Sequence, residues 1–315
     1  MSRILALLVI LAAWPAAAEP VIRVGVLKFG TVNWLMDTLQ AQRFDRDEGF
    51  RLEIVPLAGR AATTIAFQAA DVDLIVADWI WAMRQRGQGA DLRFFPYSRA
   101  LGAVMVREGG PATPCDLKGR PVGVVGGPVD KGWLVLQAYI AQICGFALAD
   151  ETQTLFGAPP LMSRQLETGT VDAVATYWHY AARLEAQGAR RLIGVAEALT
   201  LMEMADPPAL IGFVWDAGRI QSSRIEALRR AIARASAVLQ SSDPEWERLR
   251  PLMRVGSDAE FTRLRDTYRA GIQTDWRLAD TEAATRLFRL MEEAGGQRFL
   301  ESAGAFDPAV FPTDG

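Results

Sequence analysis

"VDLIVADWIWAMRQRGQGA", residues 72–90, is written a second time, 99 positions later, as "VDAVATYWHYAARLEAQGA", residues 171–189. The two stretches share Val-Asp at the start, Trp79 with Trp178, Arg84 with Arg183, and Gln-Gly-Ala at the end, without a gap. Each opens on a short β-branched apolar run and continues at helical spacing, the pattern of a buried strand that passes directly into a helix. Such a unit repeated at long range predicts two copies of one α/β lobe.

The repeat extends outward. "VGV" at 24–26 matches "VGV" at 122–124 within one residue of the same offset, so "LKFGTVNW", residues 27–34, is the counterpart of the loop in "GVVGGPVDKGW", residues 123–133. In the first half, "VIRVGVLKF" and "RLEIVPL" read as strands around a helix from about Val32 to Phe44, "AATTIAFQAA" as a second helix and "VDLIVAD" as a third strand. This alternation favours parallel sheets with helices on both faces. The equivalent loops leave the carboxyl ends of the strands, where open α/β sheets hold ligands, and two such edges facing each other make a cleft.

"PYSRALGAVMVRE", residues 96–108, has no helical period and reads as an extended crossover strand, and "DPPALIGFVW", residues 206–215, as the return strand. Two crossings make a two-segment hinge between lobe one, residues 19–98 plus 207–315, and lobe two, residues 99–206. The remainder is helical: an amphipathic run at 222–240, a helix capped by Asp243 with Pro244 in its first turn, and a last helix stopped by Gly295-Gly296.

The chain opens with Arg3, an apolar run from Ile4 to Trp14, and Ala16-Ala17-Ala18, which reads as a secretory signal peptide over 1–18 cleaved after Ala18. No later apolar stretch approaches the roughly 20 residues a membrane helix needs, so the expectation is a free, exported, periplasmic protein without membrane insertion. With 34 Lys and Arg against 37 Asp and Glu, the formal charge is −3, or −4 without Arg3. That leaves no basic field for nucleic acid. Cys115 and Cys144 are open to two readings, a disulfide or a buried free thiol. One histidine, His179, and no close group of His, Cys or acidic residues argue against a zinc or transition-metal site. Calcium-like ions want six or more oxygen ligands and the cleft offers two acids, Asp78 and Asp130, although a metal carried inside an organic chelate stays open.

The glycine-rich loop fails as a nucleotide grip. A P-loop needs Gly before its Lys and Ser or Thr after it, whereas Lys131 stands between Asp130 and Gly132. Gly123, Gly126 and Gly127 also miss the spacing of a dinucleotide loop, and Pro128 follows them. What remains is close backbone approach at a helix N-terminus that Asp130 is placed to cap.

The cleft edges then carry Asn33 and Trp34; Asp78, Trp79 and Trp81; Gly127 to Trp133, including Asp130 and Lys131; and Tyr177, Trp178 and His179. Aromatic faces with a few fixed polar groups suit planar or cationic small molecules. Trp79 and Trp178 read equally as ligand contacts or as a shared packing pair. Asp78 needs a partner, either Lys131, Arg60 or a donor on the ligand, and it weighs against small anions. His179 is either a ligand-facing donor or a satisfied structural residue. A lone histidine supports no Ser-His-Asp arrangement, and the cleft has no carboxylate pair suited to acid–base work, so no enzyme is expected.

Together, "VDLIVADW", "DLKGRPVGVVGGPVDKGWLVLQAY", "FGAPPLMSRQLETGTVDAVATYWHYAARLEAQG" and "DPEWERLRPLM" resemble the periplasmic solute-binding proteins of ABC importers for nitrate, sulfonates, taurine and thiamine-pyrimidine precursors. The stretches "ADWIWAMRQRGQGAD", "GGPVDKGW" and "YWHYAARLEAQG" resemble a narrower subgroup associated with bacterial methanol and alcohol oxidation. The resemblance implies a type II binding-protein fold that closes by hinge motion, with an inner-membrane ABC permease as partner, a monomeric state and no cofactor. Trp34, Trp79 and Trp178 would enclose the solute, Asp78 and Lys131 would fix its polar groups, and amides from Gly127 to Lys131 would meet its electron-rich end. The expected solute is aromatic, zwitterionic or cationic rather than a small anion. The alternative is a periplasmic accessory protein of the same fold that assists an alcohol-oxidation system. The cysteine-rich motif of the family's pyrimidine-synthase branch is absent.

Overall fold

The computed structural model describes residues 19–204 and 206–312, so the expected signal peptide lies outside the described residues. The chain runs β1 (Val21–Leu27), α1 (Val32–Ala41), α2 (Phe44–Asp47), β2 (Arg51–Leu57), α3 (Arg60–Gln68), β3 (Leu74–Asp78), α4 (Trp79–Arg86) and β4 (Leu92–Ser98) before its first crossing. It continues with β5 (Ala103–Val106), a 3₁₀ turn (Pro114–Leu117), β6 (Pro121–Val125), α5 (Lys131–Cys144), β7 (Gln153–Gly157), α6 (Pro159–Thr168), β8 (Ala173–Thr176), α7 (Trp178–Ala186), β9 (Arg190–Gly194) and α8 (Val195–Leu201). After the second crossing come β10 (Ile211–Asp216), α9 (Ser222–Ser241), α10 (Asp243–Met253), α11 (Asp258–Ala270), α12 (Leu278–Ala303) and a 3₁₀ turn (Pro308–Val310).

The sequence repeat is a repeat of topology. One sheet is ordered β2-β1-β3-β10-β4, the other β7-β6-β8-β5-β9, so corresponding strands occupy corresponding places. Val24 of β1 lies opposite Leu74 of β3, and Val122 of β6 opposite Ala173 of β8, which keeps the offset found in the sequence. In each sheet the antiparallel fourth strand is the one that has just crossed the hinge. β10 runs between β3 and β4, and β5 between β8 and β9. Each lobe is therefore completed by a strand next to the hinge.

The expected single crossover strand at 96–108 is two strands, β4 and β5, in different sheets, joined by residues 99–102. The join lies flush against lobe two: a Cβ on Gly102 would strike the carbonyl oxygen of Thr176, so only glycine passes there. The helix expected from Val32 to Phe44 is interrupted at Arg43, which takes a left-handed φ of 60°. The cap of α10 is Ser242, whose hydroxyl accepts from the Glu245 amide at 3.2 Å, and Asp243 is the first helical residue. Gly295-Gly296 breaks α12 as expected: Gly296 leaves helical geometry (φ 54°, ψ −145°), and a second helical segment follows to Ala303, where Phe299 and Ala303 are still buried in the core.

Cys115 and Cys144 form a disulfide with a Cα–Cα distance of 5.4 Å, tying the 3₁₀ turn to the end of α5. The C-terminal helices, grouped with lobe one from the sequence, lie against both lobes: α12 packs on α4 and α5, and α11 runs along α7. Arg183 of α7 ion-pairs with Glu260 of α11 and donates to the Met253 carbonyl at 2.9 Å. One apolar core accordingly contains Trp79 and Phe94 from lobe one, Trp133 and Leu136 from lobe two, and Phe299 and Phe311 from the C-terminal region.

Candidate functional site

Because β1, β3, β6 and β8 point their carboxyl ends at the hinge, the first turns of α1, α4, α5 and α7 converge there. They meet around a cavity of about 280 Å³ lined by residues of both lobes. Most of its wall is apolar, including Leu27, Ile75, Val76, Leu101, Val195 and Ile211.

Asp78 ends β3 and caps α4, with Oδ1 accepting from the Trp81 amide at 2.9 Å. It is 4% exposed. Lys131, the first residue of α5, brings Nζ to 3.3 Å from the carboxylate, and the Arg60 guanidinium stands at 3.9 Å. Burial opposes ionisation of Asp78, but Lys131, Arg60 and the Trp81 amide together outweigh it and hold the carboxyl below its ordinary range. The partner left open by the sequence is thus both cations at once, and the Asp78–Lys131 pair spans the cleft from lobe one to lobe two.

Asp130 caps α5, Oδ1 accepting from the amides of Gly132 at 3.0 Å and Trp133 at 3.3 Å. Here burial prevails over Lys131 and the amides, and the carboxyl titrates above its ordinary value. Tyr177 stands at the position equivalent to Asp78. Burial, reinforced by Asp130, pushes its phenol up to about 12. Burial and the neighbouring Arg183 push His179 down to about 4, which keeps the imidazole neutral. His179 Nδ1 and Thr176 Oγ1 are buried in this wall without a hydrogen-bond partner among the described residues.

Of the residues expected at the cleft, Asp78, Trp81, Asp130, Lys131, Trp133, Tyr177, Trp178 and His179 line the cavity. Four lie elsewhere. Trp34 is 4% exposed and packs edge-on against Trp178 and Trp246, with ring centroids at 6.2 and 5.7 Å. Trp79 faces away from the cleft, against Phe306 and Phe311 of the C-terminal segment. Asn33 spends its amide on the carbonyls of Leu27 and Gly30, at 2.8 and 2.7 Å, and braces its own loop. Gly127 lies outside the cavity, with nothing within 4 Å of where a Cβ would stand. For Trp34 and Trp79 the helical phase, and for Asn33 a local hydrogen bond, turns the side chain from the edge that its sequence position suggested.

Sequence reasoning missed the wall contributed by the hinge and by α3. Tyr97, Leu101, Gly102 and Ile211 come from the crossing segments, and Thr63 and Thr64 from the first turns of α3. The two crossings were visible as extended apolar runs, but nothing in a strand's own pattern says that a cavity lies between two of them. Tyr97 is held between Thr31, at 3.4 Å, and the packed ring of Tyr268, and burial pushes its phenol up to about 12.

Residues 40–240 match the family model described as NMT1/THI5 like. The chain belongs to the NMT1/THI5-like family. Its fold is that of the periplasmic aliphatic sulphonate-binding protein SsuA of Escherichia coli, with a TM-score of 0.69, 17% identity, and 87% of this chain and 86% of that one covered. The alkanesulfonate-binding SsuA of Xanthomonas axonopodis pv. citri, bound to MOPS, aligns with a TM-score of 0.69 at 18% identity over 90% of this chain and 96% of that one. The desulfurization enzyme DSZB aligns with a TM-score of 0.60 at 16% identity over 92% and 97%. At these identities the likeness is one of fold, and it establishes the two-lobe architecture read from the repeat. No curated protein matches in sequence. Among the described residues, no helix is long and apolar enough to cross a membrane, and no group of three His, Cys, Asp or Glu residues could hold a metal ion.

Proposed function

We propose that this NMT1/THI5-like protein is the periplasmic solute-binding component of an ABC importer, and that it holds a small organic molecule in the cavity between its lobes. The observation that carries this reading is a cavity walled by both lobes and bridged by the buried Asp78–Lys131 pair, in a fold shared with periplasmic binding proteins. A ligand gripped from two sides draws its affinity from both lobes, so binding and lobe closure are coupled.

The solute is uncharged, zwitterionic or cationic rather than a small anion. Both cations at the cavity, Lys131 and Arg60, face the carboxylate of Asp78, and the carboxyl of Asp130 stands beside them. An incoming anion would meet two acids and would have to compete for Lys131. The apolar wall with Trp81, Trp133 and Tyr177 suits a molecule with a hydrocarbon or aromatic body.

The test is mass spectrometry of ligand retained by the purified protein, with thermal shift against a broad metabolite library and solute uptake in cells carrying Asp78→Ala. A retained or stabilising small molecule, with uptake lost in the variant, is expected. No binding anywhere in the library, together with unchanged uptake, sinks the reading.

A further inference from the structure

Two polar atoms at the cavity have valences that the protein leaves unused. Asp130 spends Oδ1 on the α5 amides, while Oδ2 accepts no hydrogen bond among the described residues. The phenol of Tyr177 likewise makes none among the described residues, although it lines the same cavity. These oxygens converge on one spot. A Cβ added to Gly126 would lie 2.5 Å from Asp130 Oδ2 and 2.9 Å from Tyr177 Oη, so both face the same side of the loop that follows β6. Gly126 has a φ of 98°, and a side chain there would strike both oxygens, so only glycine lets Asp130 and Tyr177 approach each other this closely beside the cavity.

We propose that Asp130 and Tyr177 form the ligand-orienting pair of this cavity, and that the ligand is an uncharged organic molecule presenting a hydroxyl group to it. The inference rests on the solute-binding reading above and narrows its ligand class. A hydroxyl both donates and accepts, so it can give its proton to Asp130 Oδ2 while taking the Tyr177 phenol proton on its oxygen. Carboxylates and sulfonates have no donor for Asp130 and add a like charge beside it. Ammonium groups satisfy Asp130, but they bring no acceptor for the phenol and set a third cation beside Lys131 and Arg60. Tyr177 occupies the repeat position of Asp78, so the same point in the fold carries a paired charge in one lobe and a neutral hydroxyl in the other.

The test is titration calorimetry and thermal shift of the purified protein with benzyl alcohol, benzylamine, benzoate and benzenesulfonate, probes of one size that differ in their polar group. The expected order places benzyl alcohol at least about tenfold tighter than any charged probe, since each 1.4 kcal/mol is a factor of ten. Tyr177→Phe and Asp130→Asn should each weaken it about tenfold while leaving the melting temperature within a few degrees. Asn keeps the oxygen that caps α5 and replaces only the unused acceptor, so a purely structural role for Asp130 would leave affinity unchanged. If benzoate or benzenesulfonate binds best, or if neither variant alters alcohol affinity, the proposal is overturned while the solute-binding reading stands. If none of the probes binds, and no compound of the metabolite library does, both fall.

Discussion

The two lobes share a sequence pattern and a strand order, yet they treat equivalent side chains differently. Trp34 and Trp79 of lobe one are buried in the core, whereas their counterparts Trp133 and Trp178 also border the cavity. Asp78 ends its strand and Tyr177 follows the equivalent one; the first is locked into a cap and two ion pairs, while the second makes no side-chain hydrogen bond among the described residues. At the equivalent helix starts, Thr31 and Val32 face Asp130 and Lys131. Lobe one thus supplies a charge-balanced, mostly apolar floor, and lobe two most of the polar apparatus. Duplication conserves the scaffold because hydrophobic burial needs only pattern and volume, while individual polar groups at the edge are free to diverge.

Substitutions can break this contrast, beginning with the largest effect. Trp79→Ala removes a fully buried indole from the lobe-one core and should cost about 3–5 kcal/mol in urea denaturation. Trp81→Ala, at the half-buried cavity wall two residues later, should cost far less and act mainly on ligand affinity. Equal losses of stability would show that the lobe-one wall is core throughout. Only lobe two carries a disulfide, and replacing Cys115 and Cys144 together by Ser should cost about 3 kcal/mol from loop closure across a separation of 29 residues. The loss should concentrate in lobe two, readable by hydrogen exchange in α5 and the preceding turn. Asp78→Ala leaves Lys131 without its carboxylate and should lower stability by about 3 kcal/mol, whereas Tyr177→Phe at the equivalent position should stay within about 0.5 kcal/mol, in keeping with a phenol that the fold leaves unbonded. A large loss in the latter would mean that lobe two relies on that hydroxyl for folding.

A pH titration sharpens the same contrast. His179 titrates near 4 when folded, because of burial and Arg183, and near 6.5 when unfolded. Its stabilising contribution is therefore complete above pH 6.5 and is lost as pH falls toward 4, by at most about 3 kcal/mol. Arg183, Tyr177, Trp178 and Tyr180 surround it, with Arg183 the one permanent charge among them. The stability difference between the wild type and His179→Gln should shrink between pH 7 and pH 4.5. A constant difference would show that the imidazole is not held neutral.

The scaffold was legible because it depends on period and repetition. Strand runs, the Val-Asp and Gln-Gly-Ala repeats and the two extended crossings placed the lobes, the hinge and the cleft. Helix ends were less legible: the cap of α10 fell on Ser242 rather than Asp243, and the break expected at Gly295-Gly296 is followed by a further helical segment because Phe299 still had core to fill. Of the cavity-lining residues, those legible from the sequence sit at strand ends or helix starts: Asp78 ends β3, Tyr177 follows β8, and Asp130 and Lys131 cap and open α5. Trp34 and Trp79 were misplaced because adjacent helical positions differ by about 100° in direction, and sequence gives their spacing without the helix's rotation about its axis.

What the sequence determined by itself is the duplicated α/β plan, since burial patterns and turn chemistry are local and periodic. Which cysteine state prevails, which cations answer Asp78, and which oxygens are left unbonded were decided by the tertiary structure. Each of these depends on groups far apart in the chain, such as Lys131 meeting Asp78 across 53 residues, and distance in sequence carries no information about contact in space.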